Sequence, residues 1–121
     1  MALIKELISN YSAHIIFVGS RQDLRYIDST LKLFPSQLRN YLHNFAGKFS
    51  LGQLAYLLKK LRLFVSNDSG PLHLAVYLGI ATVSFFGSET PLIYGPEGEP
   101  HIIFYKNLAR SRCLRVAGVC A

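Results

Sequence analysis

Residues 64–78 read FVSNDSGPLHLAVYL, and they contain the local pattern that specifies the architecture. An apolar run ends at Asn67, small or polar residues follow, and Pro71 stands where a helix can begin. Proline is favoured in the first turn of a helix, and a glycine such as Gly79 commonly ends one. The pattern therefore predicts a strand, a tight turn and a helix over Leu72–Leu78.

Short apolar runs and helical patterns alternate along the chain. Each run is β-branched or aromatic and apolar on both faces, which is typical of strands covered by helices. The predicted strands are His14–Gly19, Leu63–Ser66, Thr82–Phe86 and His101–Tyr105. The predicted helices, besides Leu72–Leu78, are Met1–Ile8, Asp23–Phe34 and Leu51–Leu61. This alternation predicts an α/β fold, a Rossmann-like parallel sheet with flanking helices.

The composition is that of one folded domain. The chain has 121 residues, of which 50% are hydrophobic and 17% are charged, so the chain as a whole is not a disordered segment. Its 2 cysteines are too few for a disulfide scaffold. No apolar run approaches the ~20 residues that span a bilayer, and the start lacks the features of a signal peptide. We expect a domain over residues 1–107, a basic tail over 108–121 and a cytoplasmic location.

The chain is basic, with 13 Lys and Arg against 7 Asp and Glu, which gives a formal net charge of +6. Part of the excess lies in two clusters: Lys59, Lys60 and Arg62, and Arg110, Arg112 and Arg115. The charge favours an anionic partner such as a nucleotide or an acidic membrane surface, and a solvated basic face remains the alternative. Nucleic acid is not an expected partner, because no recognition motif accompanies the charge.

The turn Asn67–Gly70 is the candidate site, because ligands of parallel α/β sheets bind where strands end and helices begin. A helix start presents unpaired N–H groups and the positive end of the helix dipole, which suit a phosphate. Gly70 lets the backbone approach the anion, and Ser69 adds hydroxyl and amide donors. His73 lies four residues after Ser69, where its imidazole can donate to a diphosphate or a sugar hydroxyl.

Asp68 requires a separate interpretation. A carboxylate about 4 Å from a phosphate charge is repelled by ~4 kcal/mol at an effective dielectric constant near 20. We therefore expect Asp68 to accept hydrogen bonds from N–H groups of the turn or from sugar hydroxyls. The structural alternative is that Asp68 or Ser69 caps the helix and that His73 is buried and satisfied. No cofactor is predicted, and no metal site, because the sequence has no D-x-D pair.

Three segments resemble glycosyltransferase family 9, the heptosyltransferases of lipopolysaccharide core assembly, which have a GT-B fold. Residues 64–87, FVSNDSGPLHLAVYLGIATVSFFG, are similar to the family's (N/V)D(S/T)G-x-x-H element with its flanking strands and helix. Residues 46–51, AGKFSL, are similar to its A-G-K-x-S-L element, and His14–Gly19 followed by Asp23 is similar to its V-x-V-G-x-x-x-(D/E) element. The resemblance covers residues 1–107 and implies a partial C-terminal half of a GT-B fold.

The resemblance implies roles for six residues of this sequence. The donor diphosphate and sugar would contact Asp68, Ser69, Gly70 and His73, the adenine would lie against Phe49, and the ribose would contact Asp23. For Phe49 the structural alternative is a core aromatic.

The implied function is to bind the nucleotide-sugar donor, of the ADP-heptose kind, in an inverting glycosyltransferase of lipopolysaccharide core biosynthesis. The lipopolysaccharide acceptor would be a partner only of a full-length enzyme. For this chain, peripheral contact with the inner membrane is the alternative to a purely cytoplasmic location. The resemblance includes neither the acceptor-binding domain nor a general base, so no catalytic residue is assigned and the isolated chain is expected to be inactive. The alternative is a truncated, inactive remnant that folds, or self-associates through exposed strand edges, without a specific ligand.

Overall fold

The computed structural model describes residues 2–87, 91 and 95–105. Contacts divide the chain into two compact units, Met1–Ser50 and Leu51–Ala121, and each is described by itself. The predicted basic tail, 108–121, lies outside the described residues. Within the described ranges, no helix combines the length and the apolar composition that a membrane crossing requires.

The first unit contains a two-stranded parallel sheet and three helices. Its elements are α1 Ala2–Tyr11, β1 Ile15–Phe17, α2 Leu24–Leu31, α3 Ser36–Arg39 and β2 Leu42–Asn44. The register places Ile15 opposite Leu42. Ile8, Phe34 and Leu42 form the buried core, so one apolar cluster holds α1, the chain after α2 and the strand β2 together.

The sequence does not predict α3 or β2, and it predicts α2 too long. Strand β2 contributes one buried residue, Leu42, while its other two residues are polar, so no apolar run marks it. The predicted helix Asp23–Phe34 ends at Leu31. The Lys32 N–H still bonds four residues back to Asp28, but the N–H groups of Leu33 and Phe34 bond only three residues back. Pro35 then disfavours a helical conformation in the residue before it, which prevents the helix from continuing.

The described part of the second unit contains a three-stranded parallel sheet and two helices. Its described elements are α4 Leu51–Leu58, β3 Phe64–Asn67, α5 Gly70–Tyr77, β4 Thr82–Phe86 and β5 His101–Tyr105. The strand order is β3-β4-β5, and Thr82 lies between Phe64 and His101. Helix α5 contacts β3 and β4 and buries Leu72 and Ala75 completely. Every described strand pair is parallel, which confirms the predicted α/β class with parallel sheets and flanking helices.

One face of the three-stranded sheet is buried and polar groups on it are satisfied. On β4, Thr82, Ser84 and Phe86 are buried. The Thr82 hydroxyl lies 2.9 Å from His101 Nδ1, and the Ser84 hydroxyl donates to the carbonyl of Ile102 at 3.4 Å. Because buried hydroxyl groups are costly without partners, these two contacts make the small polar residues compatible with the interior.

The opposite face of the same sheet is apolar and exposed. The exposed side chains, 40–56% accessible, are Val65, Phe85, Ile102 and Phe104. The rings of Phe85 and Phe104 stack on each other with centroids 5.3 Å apart. The expectation that these strands are buried on both faces is therefore wrong for this side, because the described helices leave it uncovered.

Candidate functional site

The turn after β3 joins the strand to α5, as the sequence predicts. Ser69 is the N-cap residue, and its extended backbone lets its carbonyl accept hydrogen bonds from the N–H groups of Leu72 at 3.0 Å and His73 at 3.4 Å. Its side chain makes no capping bond; instead its hydroxyl lies 2.9 Å from that of Ser66. The alternative that Ser69 caps the helix with its side chain is therefore wrong, because no capping bond to its hydroxyl is present.

The first residue of α5, Gly70, borders open space. A Cβ atom built on Gly70 meets no atom within 4 Å. No described residue accepts a hydrogen bond from the Gly70 amide. An unpaired N–H at a helix start, with room in front of it, can bind an anionic oxygen.

Asp68 and His73 contact each other across the first turn of α5. The distance from His73 Nε2 to Asp68 Oδ1 is 3.3 Å, and the side chains are 51% and 28% exposed. The alternative of a buried His73 is therefore wrong. If Nε2 carries the proton that points to Asp68, then Nδ1 accepts a hydrogen bond when the ring is neutral and donates one when it is protonated.

Ser66 belongs to this site, although the sequence predicts only a strand position for it. Its hydroxyl fixes the orientation of the Ser69 hydroxyl at 2.9 Å. The spacing in the sequence could have identified Ser66 as a site residue. Ser66 and Ser69 are separated by two residues, which brings their side chains to the same end of β3. The second unit thus groups Ser66 with the predicted residues Asp68, Ser69, Gly70 and His73.

The other two predicted residues, Asp23 and Phe49, belong to the first unit. Asp23 Oδ2 accepts hydrogen bonds from the Ser20 hydroxyl at 2.7 Å and the Ser20 amide at 2.8 Å. These bonds, the hydroxyl first, hold the pKa of the Asp23 carboxyl below its ordinary value of 3.8. Asp23 is the N-cap of α2 but makes no side-chain capping bond, so its carboxylate orders the turn before the helix.

Phe49 is half-buried and stacks on Phe45, with ring centroids 5.3 Å apart and planes inclined by 17°. No other described ring stacks on Phe49. Lys48 lies over the Phe45 ring, with its ammonium nitrogen 5.3 Å from the centroid. Phe49 is therefore neither fully buried in the core nor isolated in solvent.

Gly47 connects the loops that follow β1 and β2. Its N–H donates to the Gly19 carbonyl at 2.9 Å, and its backbone has a positive φ of 69°. A Cβ atom at this position would lie 2.8 Å from Arg21 Cα, closer than real Cβ atoms approach. Glycine is thus required both by conformation and by space, and the loops that carry Asp23 and Phe49 meet at this point.

Comparison with known proteins identifies the family. Residues 2–118 match the sequence model of glycosyltransferase family 9, the heptosyltransferase family. The match includes nearly the whole chain and every element described above. The chain therefore belongs to glycosyltransferase family 9.

Individual relatives agree with this assignment. The chain is 30% identical over 89 residues to lipopolysaccharide heptosyltransferase 2 of Salmonella typhimurium, covering 74% of this chain and 25% of that protein. It is 26% identical over 90 residues to lipooligosaccharide heptosyltransferase 2 of Haemophilus influenzae, covering 74% and 26%. The solved structure of E. coli ADP-heptose LPS heptosyltransferase II superposes with a TM-score of 0.80 at 23% identity, over 92% of this chain and 33% of that one. The chain spans about a quarter of the length of the curated relatives it matches.

Proposed function

We propose that this chain binds the nucleotide-sugar donor, of the ADP-heptose kind, for an inverting heptosyl transfer to a lipopolysaccharide acceptor in a full-length enzyme. Membership of the heptosyltransferase family supports the reaction class. The observation that carries the proposal is the exposed start of α5, where the Gly70 amide has no described partner and open space lies in front of it.

The diphosphate is the part of the donor that fits this turn best. Its oxygens accept hydrogen bonds from the Gly70 amide and gain from the positive end of the α5 dipole. The Ser66 and Ser69 hydroxyls, 2.9 Å apart, share one hydrogen bond, which leaves a second hydroxyl proton to donate to phosphate or sugar.

The contact between Asp68 and His73 offers a way to keep a carboxylate beside an anionic ligand. Alone, that carboxylate would repel a phosphate charge about 4 Å away by ~4 kcal/mol. A protonated His73 neutralises Asp68 through Nε2, 3.3 Å away, and donates from Nδ1 to the diphosphate. Asp68 retains its second oxygen for a sugar hydroxyl.

The nucleoside contacts form a separate part of the proposal. Asp23 uses Oδ2 for Ser20, so Oδ1 remains to accept a hydrogen bond from a ribose hydroxyl. The face of the Phe49 ring turned away from Phe45 can stack on an adenine. These contacts are separate from the diphosphate contacts, so failure of one part of the proposal leaves the other standing.

Titration with ADP-heptose, ADP and AMP, followed by calorimetry and by amide chemical shifts in ¹⁵N-labelled protein, tests the proposal. We expect binding of ADP and ADP-heptose in the ~10 µM to mM range, about −4 to −7 kcal/mol, with the largest shifts at Ser69 and Gly70. AMP, which lacks the second phosphate, should bind more weakly. Equal binding of AMP and ADP, or no shift at Gly70, contradicts the diphosphate site.

The isolated chain should show no transferase activity. A general base must lie within hydrogen-bond reach of the attacking acceptor hydroxyl, and among the described residues of the candidate site none is assigned that role. Transfer of radiolabelled heptose to a lipopolysaccharide acceptor by this chain alone would overturn this part of the proposal.

A second candidate function, self-association without a specific ligand, is favoured by the exposed apolar face of the sheet β3-β4-β5. Apolar patches of this kind promote contact between copies of a chain. Sedimentation velocity over a range of concentrations, with and without ADP, separates the candidates. A concentration-dependent mass, together with a melting temperature that ADP does not change, would favour self-association.

A further inference from the structure

His14 and His43 form a pair that the proposed donor site does not use. His14 immediately precedes β1, and His43 is the middle residue of β2. His14 Nδ1 lies 3.0 Å from His43 Nε2, and the two rings are stacked, with centroids 5.3 Å apart and planes inclined by 24°. The chain has 4 histidines, and these two are adjacent.

The register of the sheet fixes the pair. Ile16 lies opposite His43, and His14 lies two residues before Ile16. Because side chains alternate between the faces of a strand, His14 and His43 share one face, while Leu42 enters the core on the other. The ring of Tyr41, 5.1 Å from that of His14, further restricts where the His14 imidazole can lie.

The distance between the two nitrogens is that of two ligands on one metal ion. Imidazole nitrogens bind Zn²⁺ at about 2.0–2.1 Å, which puts two of them about 2.9 Å apart at a right angle and about 3.3 Å apart at a tetrahedral angle. The observed 3.0 Å lies between these values. In the hydrogen-bonded pair one of these nitrogens carries the proton; when that ring takes the tautomer with its proton on the other ring nitrogen, both facing nitrogens have lone pairs and are already close together.

We propose that His14 Nδ1 and His43 Nε2 chelate a divalent transition-metal ion on the surface of the first unit. Imidazole ligands suit Cu²⁺, Ni²⁺ and Zn²⁺, and Cu²⁺ binds tightest to a given nitrogen set. The described residues contain no group of three or more His, Cys, Asp or Glu that could hold a metal, so water completes the coordination shell. Such a site is independent of the donor site, because none of its residues belongs to the proposed nucleotide contacts.

Metal titration of the full chain tests the proposal. A Cys113→Ser/Cys120→Ser background removes thiolate ligands, which also bind these metals. We expect one Cu²⁺ per chain by calorimetry, weaker Ni²⁺ and Zn²⁺ binding, and at least a tenfold loss of Cu²⁺ affinity in His14→Gln and in His43→Gln. His101→Gln is the matched control: its amide can keep the contact with Thr82, and metal affinity should not change. Affinity should fall at acidic pH, because both imidazoles must be neutral to bind.

Paramagnetic broadening of NMR signals by Cu²⁺ provides a second test that needs no variant. In the wild-type chain, substoichiometric Cu²⁺ should broaden the imidazole signals of His14 and His43 before those of His73 and His101. First broadening at His73 or His101, unchanged affinity in both single variants, or no saturation at one ion per chain would each refute the chelate. Donor binding stays unchanged in His14→Gln, so the two proposals fail separately.

Discussion

His73 Nε2 lies 3.3 Å from Asp68 Oδ1, and this contact joins the two ends of the turn that begins α5. Both groups are partly exposed, so the pair itself adds little to folding stability, typically less than about 1 kcal/mol. Its importance lies in the charge that it presents to a ligand.

The variants His73→Ala and Asp68→Asn should therefore affect binding and leave folding nearly unchanged. We expect His73→Ala to weaken ADP-heptose binding about tenfold, or about 1.4 kcal/mol, because it removes a donor and leaves Asp68 uncompensated. The double variant, measured by calorimetry, should lose less than the sum of the single losses. Additive losses, or a large drop in melting temperature, would show that the pair does not act as a unit at the ligand.

Gly70→Ala should abolish most ADP binding without destabilising the fold. The added methyl enters space that holds no described atom within 4 Å, so it should keep an anion away from the Gly70 amide without a clash in the fold. Gly52→Ala is the matched control, since Gly52 also lies in the first turn of an eight-residue helix and also borders open space. Urea unfolding should show no large loss of stability in either variant, and only Gly70→Ala should lose ADP affinity.

Gly47→Ala should destabilise the chain more than Gly79→Ala. Both glycines have positive φ values, 69° and 73°, which cost an alanine roughly 1–2 kcal/mol. Only at Gly47 does the new Cβ meet backbone, 2.8 Å from Arg21 Cα, whereas Gly79 has open space. Urea unfolding followed by circular dichroism measures the free energy of unfolding of both variants. Equal decreases would mean that the loop near Arg21 moves to accommodate the new Cβ atom without loss of stability.

The turn at Ser20 should weaken in acid. The pKa of Asp23 is held below 3.8 by its hydrogen bonds from Ser20, so the stabilisation they provide is present above pH 3.8 and is lost as the pH falls through the lowered value. The carboxyl carbon signal of Asp23 should titrate with a midpoint below 3.8, and the Ser20 amide should follow it. In Asp23→Asn the Ser20 amide should not titrate in this range. A midpoint at or above 3.8 would contradict the two contacts.

The sequence predicted the parts of the fold that depend on local pattern. Strands β4 and β5 have the expected bounds because each is a short run composed mostly of apolar, β-branched or aromatic residues. Local pattern does not predict strand β2, because two of its three residues are polar and contact residues distant in sequence. Asn44, for example, donates to the Leu24 carbonyl and to Asp28. The pairing that makes it a strand is with β1, which no local pattern contains.

In the candidate site, too, local pattern predicted some features and not others. Pro71 and Gly70 locate the start of α5, so the position of the turn was predictable from residue type. The contact of Asp68 with His73 and that of Ser66 with Ser69 depend on which rotamers the packed turn allows. Sequence reasoning expected Asp68 to accept hydrogen bonds from N–H groups of the turn or from sugar hydroxyls, and it did not foresee the contact with the His73 imidazole that the structure contains. The roles of these residues in ligand binding remain predictions.

Helix α5 starts without the side-chain cap that its N-cap serine would normally supply, which is worth about 1 kcal/mol in other helices. The missing cap offers a way to measure ligand binding. A bound anion would accept hydrogen bonds from the first amides of α5 in place of the serine hydroxyl. The amide hydrogens of this turn should therefore exchange with deuterium more slowly when an anion is bound. Hydrogen–deuterium exchange at the start of α5, followed by mass spectrometry, should therefore report how fully any compound occupies that site.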